Sequence, residues 1–460
     1  MRNLAISSVI PGLVFPALSD GRGNALLALL YQLEQSQWWS PEQLLRQQLS
    51  QLRSLLNHAA AEVPFYRRGP FVEISRAETL NLDAWYRLPI LTRADVQTAA
   101  DQMLACSIPA SHGETDEIFT SGSTGKPVRV VRTRLSGLFW SAFTLRDHLW
   151  HGRDLRGKLC GIRQSKPGQA LYPEGEHASS WGASSGTVFT TGPYAGLNIT
   201  TPLEQQADWL VREDPDYLLT HPSVAWRLAQ YFSEHSMELG NLKQVLTISE
   251  SLPAGLRELC RAAWRVPVID LYSSREAGYI ALQCPANDLY HVQTEGIFVE
   301  VLDDSGRPCS PGQPGRVVVT PLHNFAMPLL RYDLGDVAEL GTPCSCGRGL
   351  PVIARIMGRR QNMLLRPDGR EIWPLLSSAD ISALLSAAPI RRYQIAQTSI
   401  GRLELRVDTA EPLSEGQSAA LAKMIADKFS DLFSVAVRRT PLEPGPSGKF
   451  EDVVRTFEIV

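Results

Sequence analysis

The densest group of residues that could bind an anion lies between positions 120 and 127. Its hydroxyl, glycine and ammonium residues are Thr120, Ser121, Gly122, Ser123, Thr124, Gly125 and Lys126. Such a loop can wrap phosphate oxygens with backbone N–H groups, while the hydroxyls and the ammonium add donors and charge. It is not a Walker loop, because the glycine spacing is too short, Pro127 follows the lysine, and a valine-rich strand comes next. The pattern predicts a strand, a phosphate-binding loop and a second strand, with a plain polar hairpin as the alternative.

Lysine is rare in this chain, so the position of each lysine carries information. The lysines are Lys126, Lys158, Lys166, Lys243, Lys423, Lys428 and Lys449. Lys126 and Lys449 lie in glycine-rich loops, where the backbone can approach a ligand closely. An ammonium on a flexible stem suits a phosphate or a reacting carboxylate better than a rigid guanidinium does. Both residues are therefore candidates for anion chemistry, with a solvated loop lysine as the alternative.

The apolar pattern predicts the elements that must position these loops. Between about residues 117 and 355, short apolar runs at 217–219, 245–248 and 266–269 alternate with helical stretches. This alternation is typical of parallel strands joined by crossover helices. Residues 41–60 have apolar side chains at helical spacing, which predicts an amphipathic helix that ends before Pro64.

The predicted pattern of strands and helices changes after Gly358. Turn residues 367–369 predict a hairpin, strands are expected near 393–397 and 403–407, and a helix carries Ile425 among other apolar residues. This length of about 100 residues is an ordinary size for an α+β domain.

The predicted fold class is α/β with two domains. An antiparallel strand at 316–320 follows turn residues 312–315, so the larger part is mixed rather than purely parallel. We therefore predict a large mixed α/β N-terminal domain over residues 1–357 and a small α+β C-terminal domain over residues 358–460.

Composition excludes several classes of function. The chain has 460 residues and a formal net charge of −3, so it has no overall field that would attract nucleic acid or an anionic membrane. No run of about 18 apolar residues predicts a membrane span, and prolines interrupt the signal-like stretch over residues 1–20. Seven cysteines are too few for a disulfide framework in a chain of this length. A cytoplasmic protein without nucleic-acid or membrane partners is expected.

Five motifs in a fixed order resemble a known family. They lie at 120–127, 272–276, 331–336, 358–359 and 446–449. Their order and spacing resemble the adenylate-forming superfamily, which includes acyl-coenzyme A synthetases, nonribosomal peptide synthetase adenylation domains and luciferases. Within it they are most similar to the phenylacetate-coenzyme A ligase branch. The resemblance extends from about residue 45 to the C-terminus.

The resemblance implies an enzyme, an AMP-forming acid–thiol ligase. Such an enzyme converts a carboxylic acid and Mg²⁺-ATP to acyl-AMP and pyrophosphate, and then transfers the acyl group, here most simply to coenzyme A. The alternatives are delivery to the pantetheine of a carrier protein or to an amine. A non-catalytic binding subunit is the more distant alternative.

The resemblance also assigns roles to residues of this sequence. The loop over residues 120–126 would hold the triphosphate, and Glu276 would bind Mg²⁺. Asp336 would bind the ribose hydroxyls, and Arg359 would lie near the nucleotide. Lys449 would be the main catalytic residue, between the substrate carboxylate and the α-phosphate. The residues implied to surround the adenine are Ser249, Glu250, Ser251, Tyr272 and Ser273.

The domain junction departs from the family pattern. Most relatives have paired aspartates after the Gly-Arg of the junction, whereas Gln361 and Asn362 stand there in this chain. In the family the small domain rotates about this junction between the two half-reactions, so the departure concerns thioester formation more than adenylation.

Three cysteines and a histidine form a possible metal site. Cys344 and Cys346 follow the predicted ribose motif, and Cys284 and His291 follow the predicted adenine motif. Three thiolates and one imidazole suit tetrahedral Zn²⁺, although the spacing alone favours free buried cysteines. Some members of the resembled branch carry zinc in these regions, which implies a structural zinc site here.

The acyl pocket is the part that the sequence predicts least. In the resembled family it lies between the phosphate loop and the adenine motif. Aromatic residues in that interval indicate an aryl or other planar apolar acid, with ordinary core packing as the alternative. The candidates are Trp181, Tyr194, Tyr217 and His221.

Overall fold

The computed structural model describes residue 6 and residues 8–13, 15–120, 127–374, 376–442 and 450–457. Within these ranges the α-helices, α1 to α12, are Gly21–Ser36, Pro41–Glu62, Pro70–Ser75, Leu82–Tyr86, Arg93–Thr98, Arg134–Trp150, Ala183–Gly186, Leu203–Glu213, Pro222–Glu234, Leu256–Trp264, Ser378–Ala387 and Glu415–Lys428. The β-strands, β1 to β20, are Thr115–Phe119, Arg129–Thr133, Leu159–Arg163, Glu176–Ala178, Tyr194–Asn198, Tyr217–Thr220, Gln244–Thr247, Val268–Ser274, Gly278–Gln283, Tyr290–Val292, Ile297–Leu302, Pro314–Pro321, Tyr332–Leu340, Val352–Arg359, Leu364–Leu365, Glu371–Ile372, Ile390–Ser399, Arg402–Thr409, Ser434–Arg439 and Val453–Arg455. Across the described ranges, a helix with the length and apolar character needed to span a bilayer is not found.

The chain forms two compact units that are each discontinuous in sequence. One unit comprises Met1–Gly157, Ala178–Tyr194 and Leu271–Ile356, and the other comprises Lys158–His177, Ala195–Asp270 and Met357–Val460. The predicted division into domains of residues 1–357 and 358–460 stays a prediction.

The first unit contains the predicted amphipathic helix, which is confirmed as α2. Ser40 caps its N-terminus in a reciprocal pair of hydrogen bonds with Gln43, and Pro41 occupies its first turn, where a missing N–H costs nothing. Its buried face, which includes Leu52 and Leu56, packs in a core with Trp85. The strand predicted at 316–320 is confirmed as part of β12, which pairs antiparallel with β11 and β13.

The second unit contains the predicted parallel strands. Strand β6 pairs in parallel with β3 and β7, and β7 pairs in parallel with the first residues of β8. Helices α8, α9 and α10 contribute Trp209, Phe232 and Leu256 to the core of this part. The alternation of strands and crossover helices that the sequence predicts is therefore confirmed.

The C-terminal residues of the second unit form a small α+β module, as predicted. Strands β17 and β18 are antiparallel, whereas β19 adds in parallel to β18 and β20 adds in parallel to β17. Helices α11 and α12 pack on this sheet through Leu384, Leu421 and Ile425. The hairpin predicted at 367–369 is confirmed by the pairing of β15 with β16.

Candidate active site

The predicted phosphate loop is flanked by two paired strands. β1 and β2 are antiparallel, with Phe119 opposite Arg129, so a strand and not a helix follows the loop. Thr120 is nearly buried, and its hydroxyl accepts a hydrogen bond from the backbone N–H of Val128 at 2.9 Å. Residues 121–126, which carry the other predicted phosphate contacts, lie outside the described residues.

Arg93 lies beside both Thr120 and Glu276, and sequence analysis did not identify it. Its Nη2 donates to the hydroxyl of Thr120 at 3.1 Å, and its Nη1 lies 3.6 Å from Oε1 of Glu276. Arg93 is the first residue of α5, directly after the capping residue Thr92. From the sequence alone, Arg93 is therefore indistinguishable from any other residue at the start of a helix, and it belongs to no motif.

Tyr272 and Asp336, which come from separate motifs 64 residues apart, lie together in the first unit. The Tyr272 hydroxyl donates to Oδ2 of Asp336 at 2.8 Å, and both side chains are nearly buried. A few residues before Asp336, Arg331 forms a buried ion pair with Glu300 and holds the start of β13. The structure thus brings together Tyr272, predicted to lie against the adenine, and Asp336, predicted to bind the ribose.

A small pocket of about 50 Å³, open to solvent, lies beside Glu276 in the first unit. Its aromatic lining comes from Phe139, Trp140, Phe143 and Tyr279. Trp140 and Tyr279 have ring centroids 4.5 Å apart, and the Tyr279 hydroxyl is hydrogen-bonded to Thr144. These contacts fix the orientation of two of the aromatic walls.

The aromatic residues predicted for the acyl pocket do not line the pocket beside Glu276, and their role in acyl binding stays a prediction. Trp181 is nearly buried, donates its indole N–H to the carbonyl of Gly157 at 2.9 Å and packs edge-on against His148. Tyr194 begins β5 and is partly buried. Tyr217 begins β6 and, like His221, is almost fully buried in the second unit. The pocket beside Glu276 is lined by a different aromatic set, from α6 and β9.

Ser249, Glu250 and Ser251 follow strand β7. Ser249 has a positive φ of 74°, which is uncommon for a residue other than glycine. The Glu250 side chain is turned inward, with an exposed fraction of 5 %. Ser223 donates its backbone N–H to Oε2 at 2.9 Å and its hydroxyl to Oε1 at 3.0 Å. Burial favours the neutral acid, but contacts with His221 and with backbone N–H groups hold the pKa of Glu250 below its ordinary value.

The predicted domain junction contains a glycine that no other residue could replace without strain. Gly358 has φ 112°, and a Cβ there would lie 2.8 Å from the hydroxyl oxygen of Ser251. Arg359 ends β14 and is partly buried, and Gln361 lies in the turn of 3₁₀ helix that follows it. The predicted catalytic residue, Lys449, lies outside the described residues.

Cys284, His291, Cys344 and Cys346 converge in the first unit, with their ligand atoms all within 4.8 Å of one another. The sulfurs of Cys284 and Cys344 are 3.8 Å apart, and the sulfur of Cys346 is 3.3 Å from Nε2 of His291. Two thiolates bound to one tetrahedral Zn²⁺ at about 2.3 Å would be about 3.8 Å apart, so this donor set fits the ion. Burial lowers the pKa of His291 to about 4, which favours the neutral, metal-binding imidazole.

The chain is similar in sequence and in fold to several known proteins. Residues 116–326 match the family model described as AMP-binding enzyme. The chain is 26% identical over 443 residues to phenylacetate-coenzyme A ligase of Thermus thermophilus. The aligned region covers 89% of this chain and 95% of the relative. It is 26% identical to phenylacetate-coenzyme A ligase of Pseudomonas putida, over 82% of this chain and 85% of the relative. A crystal structure of 2-hydroxyisobutyryl-CoA ligase shares the fold, with a TM-score of 0.69, 20% identity and coverage of 89% of this chain and 88% of that chain. The chain is thus similar to AMP-binding enzymes over residues 116–326, and to phenylacetate-coenzyme A ligases over most of its length.

Proposed function

We propose that this protein activates a carboxylic acid with Mg²⁺-ATP and transfers the acyl group to coenzyme A. In the first step a carboxylate oxygen attacks the α-phosphorus, which forms acyl-AMP and releases pyrophosphate. In the second step the thiol of coenzyme A attacks the acyl carbon, and AMP leaves. The likeness to phenylacetate-coenzyme A ligases over most of both chains supports this reaction class.

The pairing of Tyr272 with Asp336 is the observation that carries the proposal. Asp336 accepts from Tyr272 through Oδ2, and a carboxylate has enough lone pairs to accept hydrogen bonds from ribose hydroxyls as well. A ribose bound there would lie beside the Tyr272 ring, whose face suits an adenine base. Glu276, four residues after Tyr272, supplies a hard oxygen ligand of the kind that Mg²⁺ prefers. Bound Mg²⁺ would offset the negative charge of the phosphates.

The pocket beside Glu276 supports an aryl or other planar apolar acid as the substrate class. Phe139, Trp140, Phe143 and Tyr279 offer ring faces and edges to a flat apolar group. A flat group placed against these rings would gain aromatic contact on one side, because the pocket is small and open to solvent. An acid bound in this pocket would also lie beside Glu276.

The experiment that tests the reaction is an exchange screen. ATP–pyrophosphate exchange is measured with aryl, aliphatic and amino acids, and each active acid is then incubated with ATP and free coenzyme A. We expect exchange with at least one aryl acid, followed by formation of its coenzyme A thioester and AMP. Exchange without thioester formation would point to a carrier-protein or amine acceptor. Absence of exchange with every acid would overturn the proposal, and ADP as the product would indicate phosphoryl transfer.

Arg93→Ala is expected to lower kcat/KM for ATP by about 10- to 100-fold, because a charge-assisted contact beside the phosphates is lost. Without nucleotide, Arg93 contacts Thr120 and Glu276, so its charge lies between two residues assigned to Mg²⁺-ATP. Initial rates at varied ATP concentration measure the effect. Arg355→Ala is the matched control, since Arg355 forms an exposed ion pair with Glu339 and should change the rate less than about twofold. Equal rates for the two variants would remove Arg93 from the nucleotide site.

We also propose a structural Zn²⁺ held by Cys284, His291, Cys344 and Cys346. The separations of their ligand atoms support this proposal, as does the neutral state of His291. The structure describes all seven cysteines and pairs none of them in a disulfide, which suits a reducing cytoplasm. The metal would fix the loop that carries Arg348, whose guanidinium stacks on the rings of Trp38 and Trp150 at 4.8 and 4.5 Å.

Cys344→Ser is expected to remove the bound metal and to lower Tm by about 5 to 10 °C, because the remaining ligands no longer close a tetrahedral site. Elemental analysis and calorimetry measure these quantities, and tryptophan emission reports on the Arg348 stack. Cys106→Ser is the control, since Cys106 is exposed and outside the cluster. Purified wild-type protein that holds no zinc and does not change its Tm when zinc is added would refute the site.

A further inference from the structure

A buried carboxylate in the second unit holds the backbone of Phe450, the residue that follows Lys449 in the sequence. The backbone N–H of Phe450 donates to Oε1 of Glu250 at 2.9 Å, across a separation of 200 residues. The same oxygen also accepts a hydrogen bond from the hydroxyl of Ser223. It lies 3.5 Å from Nδ1 of His221. Glu250 therefore ties the beginning of α9 to a segment near the end of the chain.

The ring and the following backbone of Phe450 are held as well. The guanidinium carbon of Arg392 lies 3.4 Å from the centroid of the Phe450 ring. Beyond it, the carbonyls of Glu451 and Asp452 accept hydrogen bonds from the side chain of Gln394 and the N–H of Ile395. These contacts lie within the C-terminal module. The hydrogen bond to Glu250 instead links Phe450 to residues outside that module.

We propose that Glu250 is a positioning residue for adenylation, because it fixes the backbone next to the catalytic lysine. This inference rests on the proposed function and on the role that the family resemblance implies for Lys449, between the substrate carboxylate and the α-phosphate. A lysine can stabilise the approach of the two anions only if its backbone is held in one place. Each additional freely rotating bond lowers the fraction of time that the ammonium spends in the productive position. Holding the N–H of Phe450 supplies that constraint directly beside Lys449.

The contacts of Glu250 favour this role over direct nucleotide binding. Three hydrogen bonds from protein groups already reach its two oxygens, two from Ser223 and one from Phe450. The side chain is almost fully buried, so its charge acts mainly on the groups that surround it. A residue whose contacts are all internal affects catalysis through the groups that it holds.

Limited proteolysis with a lysine-specific protease tests the contact without any substrate. The protease cleaves the peptide bond between Lys449 and Phe450. The N–H of this bond donates the hydrogen bond to Glu250. We expect Glu250→Ala to be cleaved there about 10- to 100-fold faster than wild type, as for the loss of one charge-assisted hydrogen bond. Cleavage after the other lysines of the same sample serves as the internal control. Glu250→Gln keeps an acceptor oxygen and should show an intermediate rate.

Pyrophosphate exchange tests the positioning role on the same variants. Glu250→Ala should lower kcat by about 10- to 100-fold while KM for ATP changes less than about threefold, and Glu250→Gln should recover part of the loss. Ser223→Ala is the matched control. It removes one hydrogen bond to the same carboxylate but leaves the bond to Phe450, so kcat should change only a few-fold.

The two measurements separate the possible failures. Unchanged cleavage at Lys449 in Glu250→Ala would overturn the contact. Faster cleavage with unchanged kcat in an active enzyme would overturn the positioning role, as would an equal effect of Ser223→Ala on kcat. A wild-type protein inactive towards every acid, with cleavage still faster in the variant, would overturn the proposed function and leave only the structural contact.

Discussion

Replacing Lys449 by alanine is expected to lower the rate of acyl-adenylate formation by about 100- to 1000-fold. The substrate carboxylate and the α-phosphate are both anions, and they must approach each other in line for the reaction to occur. A cation between them lowers their repulsion most in the transition state, where they are closest. The effect should therefore fall on kcat and leave KM for ATP within a few-fold of wild type. ATP–pyrophosphate exchange with an active acid measures both quantities.

The control for Lys449→Ala is Lys423→Ala. Lys423 lies on α12, pairs with Asp427 in the same helix, and has a side chain that is 76% exposed. Its loss should change stability by less than about 0.5 kcal/mol and should leave exchange unchanged. Transfer from preformed acyl-AMP to coenzyme A should survive in both variants, since the lysine serves the first step. Exchange at the wild-type rate in Lys449→Ala would refute the assignment.

The elements that the sequence predicts well are those with a clean periodicity. Helix α2 has a buried stripe at helical spacing between a capping serine and a stop before Pro64, so both its type and its ends are readable. Strands β6, β7 and β8 are short apolar runs, and their parallel pairing follows from the helices between them. The strand after the phosphate loop was predictable because Pro127 and the valines that follow exclude a helix start.

Helix α1 shows where periodicity fails. Its sequence is rich in leucine and alanine on all sides, whereas its buried residues are only Gly23, Leu26, Leu33 and Ser36. No apolar stripe distinguishes the buried face from the exposed one, and Tyr31 remains 69% exposed. The two compact units were likewise not predictable, because each gathers three separate segments of the chain through contacts of long range.

The sequence motifs name several residues of the candidate site but give no distances between them. The motifs supplied Tyr272 and Asp336, yet only the structure shows that their side chains share a hydrogen bond. Arg93 carries no motif, because a basic residue after a capping threonine is common at the surface of any helix. Glu250 is a different case. Its place in a motif indicated the nucleotide, whereas its contacts lead to Ser223 and Phe450.

The aromatic residues illustrate a different limit of sequence reasoning. An interval between two motifs contains both pocket and core aromatics, and composition does not separate them. Trp181 has its indole N–H satisfied by a backbone carbonyl and its ring packed on a buried histidine. Phe139 and Trp140, on α6 in the same interval, line an open pocket instead. The distinction depends on which face of α6 meets the solvent, and neighbouring elements decide that.

Replacing Asp336 by alanine is expected to raise KM for ATP by about 100-fold, while kcat at saturating ATP falls much less. The carboxylate would accept hydrogen bonds from the ribose hydroxyls, and hydrogen bonds to a charged group contribute about 1.5 to 3 kcal/mol each. These bonds form equally in the ground state and the transition state, because the ribose does not react, so their loss weakens binding and not the chemical step. Initial rates of exchange at varied ATP concentration separate the two parameters.

Tyr272→Phe provides the comparison that makes the Asp336 result interpretable. This variant keeps the ring that would face the adenine but removes the hydroxyl that donates to Oδ2 of Asp336 at 2.8 Å. If Asp336 binds ribose directly, the loss of one neighbouring donor should raise KM for ATP only a few-fold, and Asp336→Asn should lie between the two. If instead Asp336 serves only to hold Tyr272, then Asp336→Ala and Tyr272→Phe should raise KM equally. Equal effects would therefore argue against direct ribose binding, because removal of either partner breaks the hydrogen bond that they share.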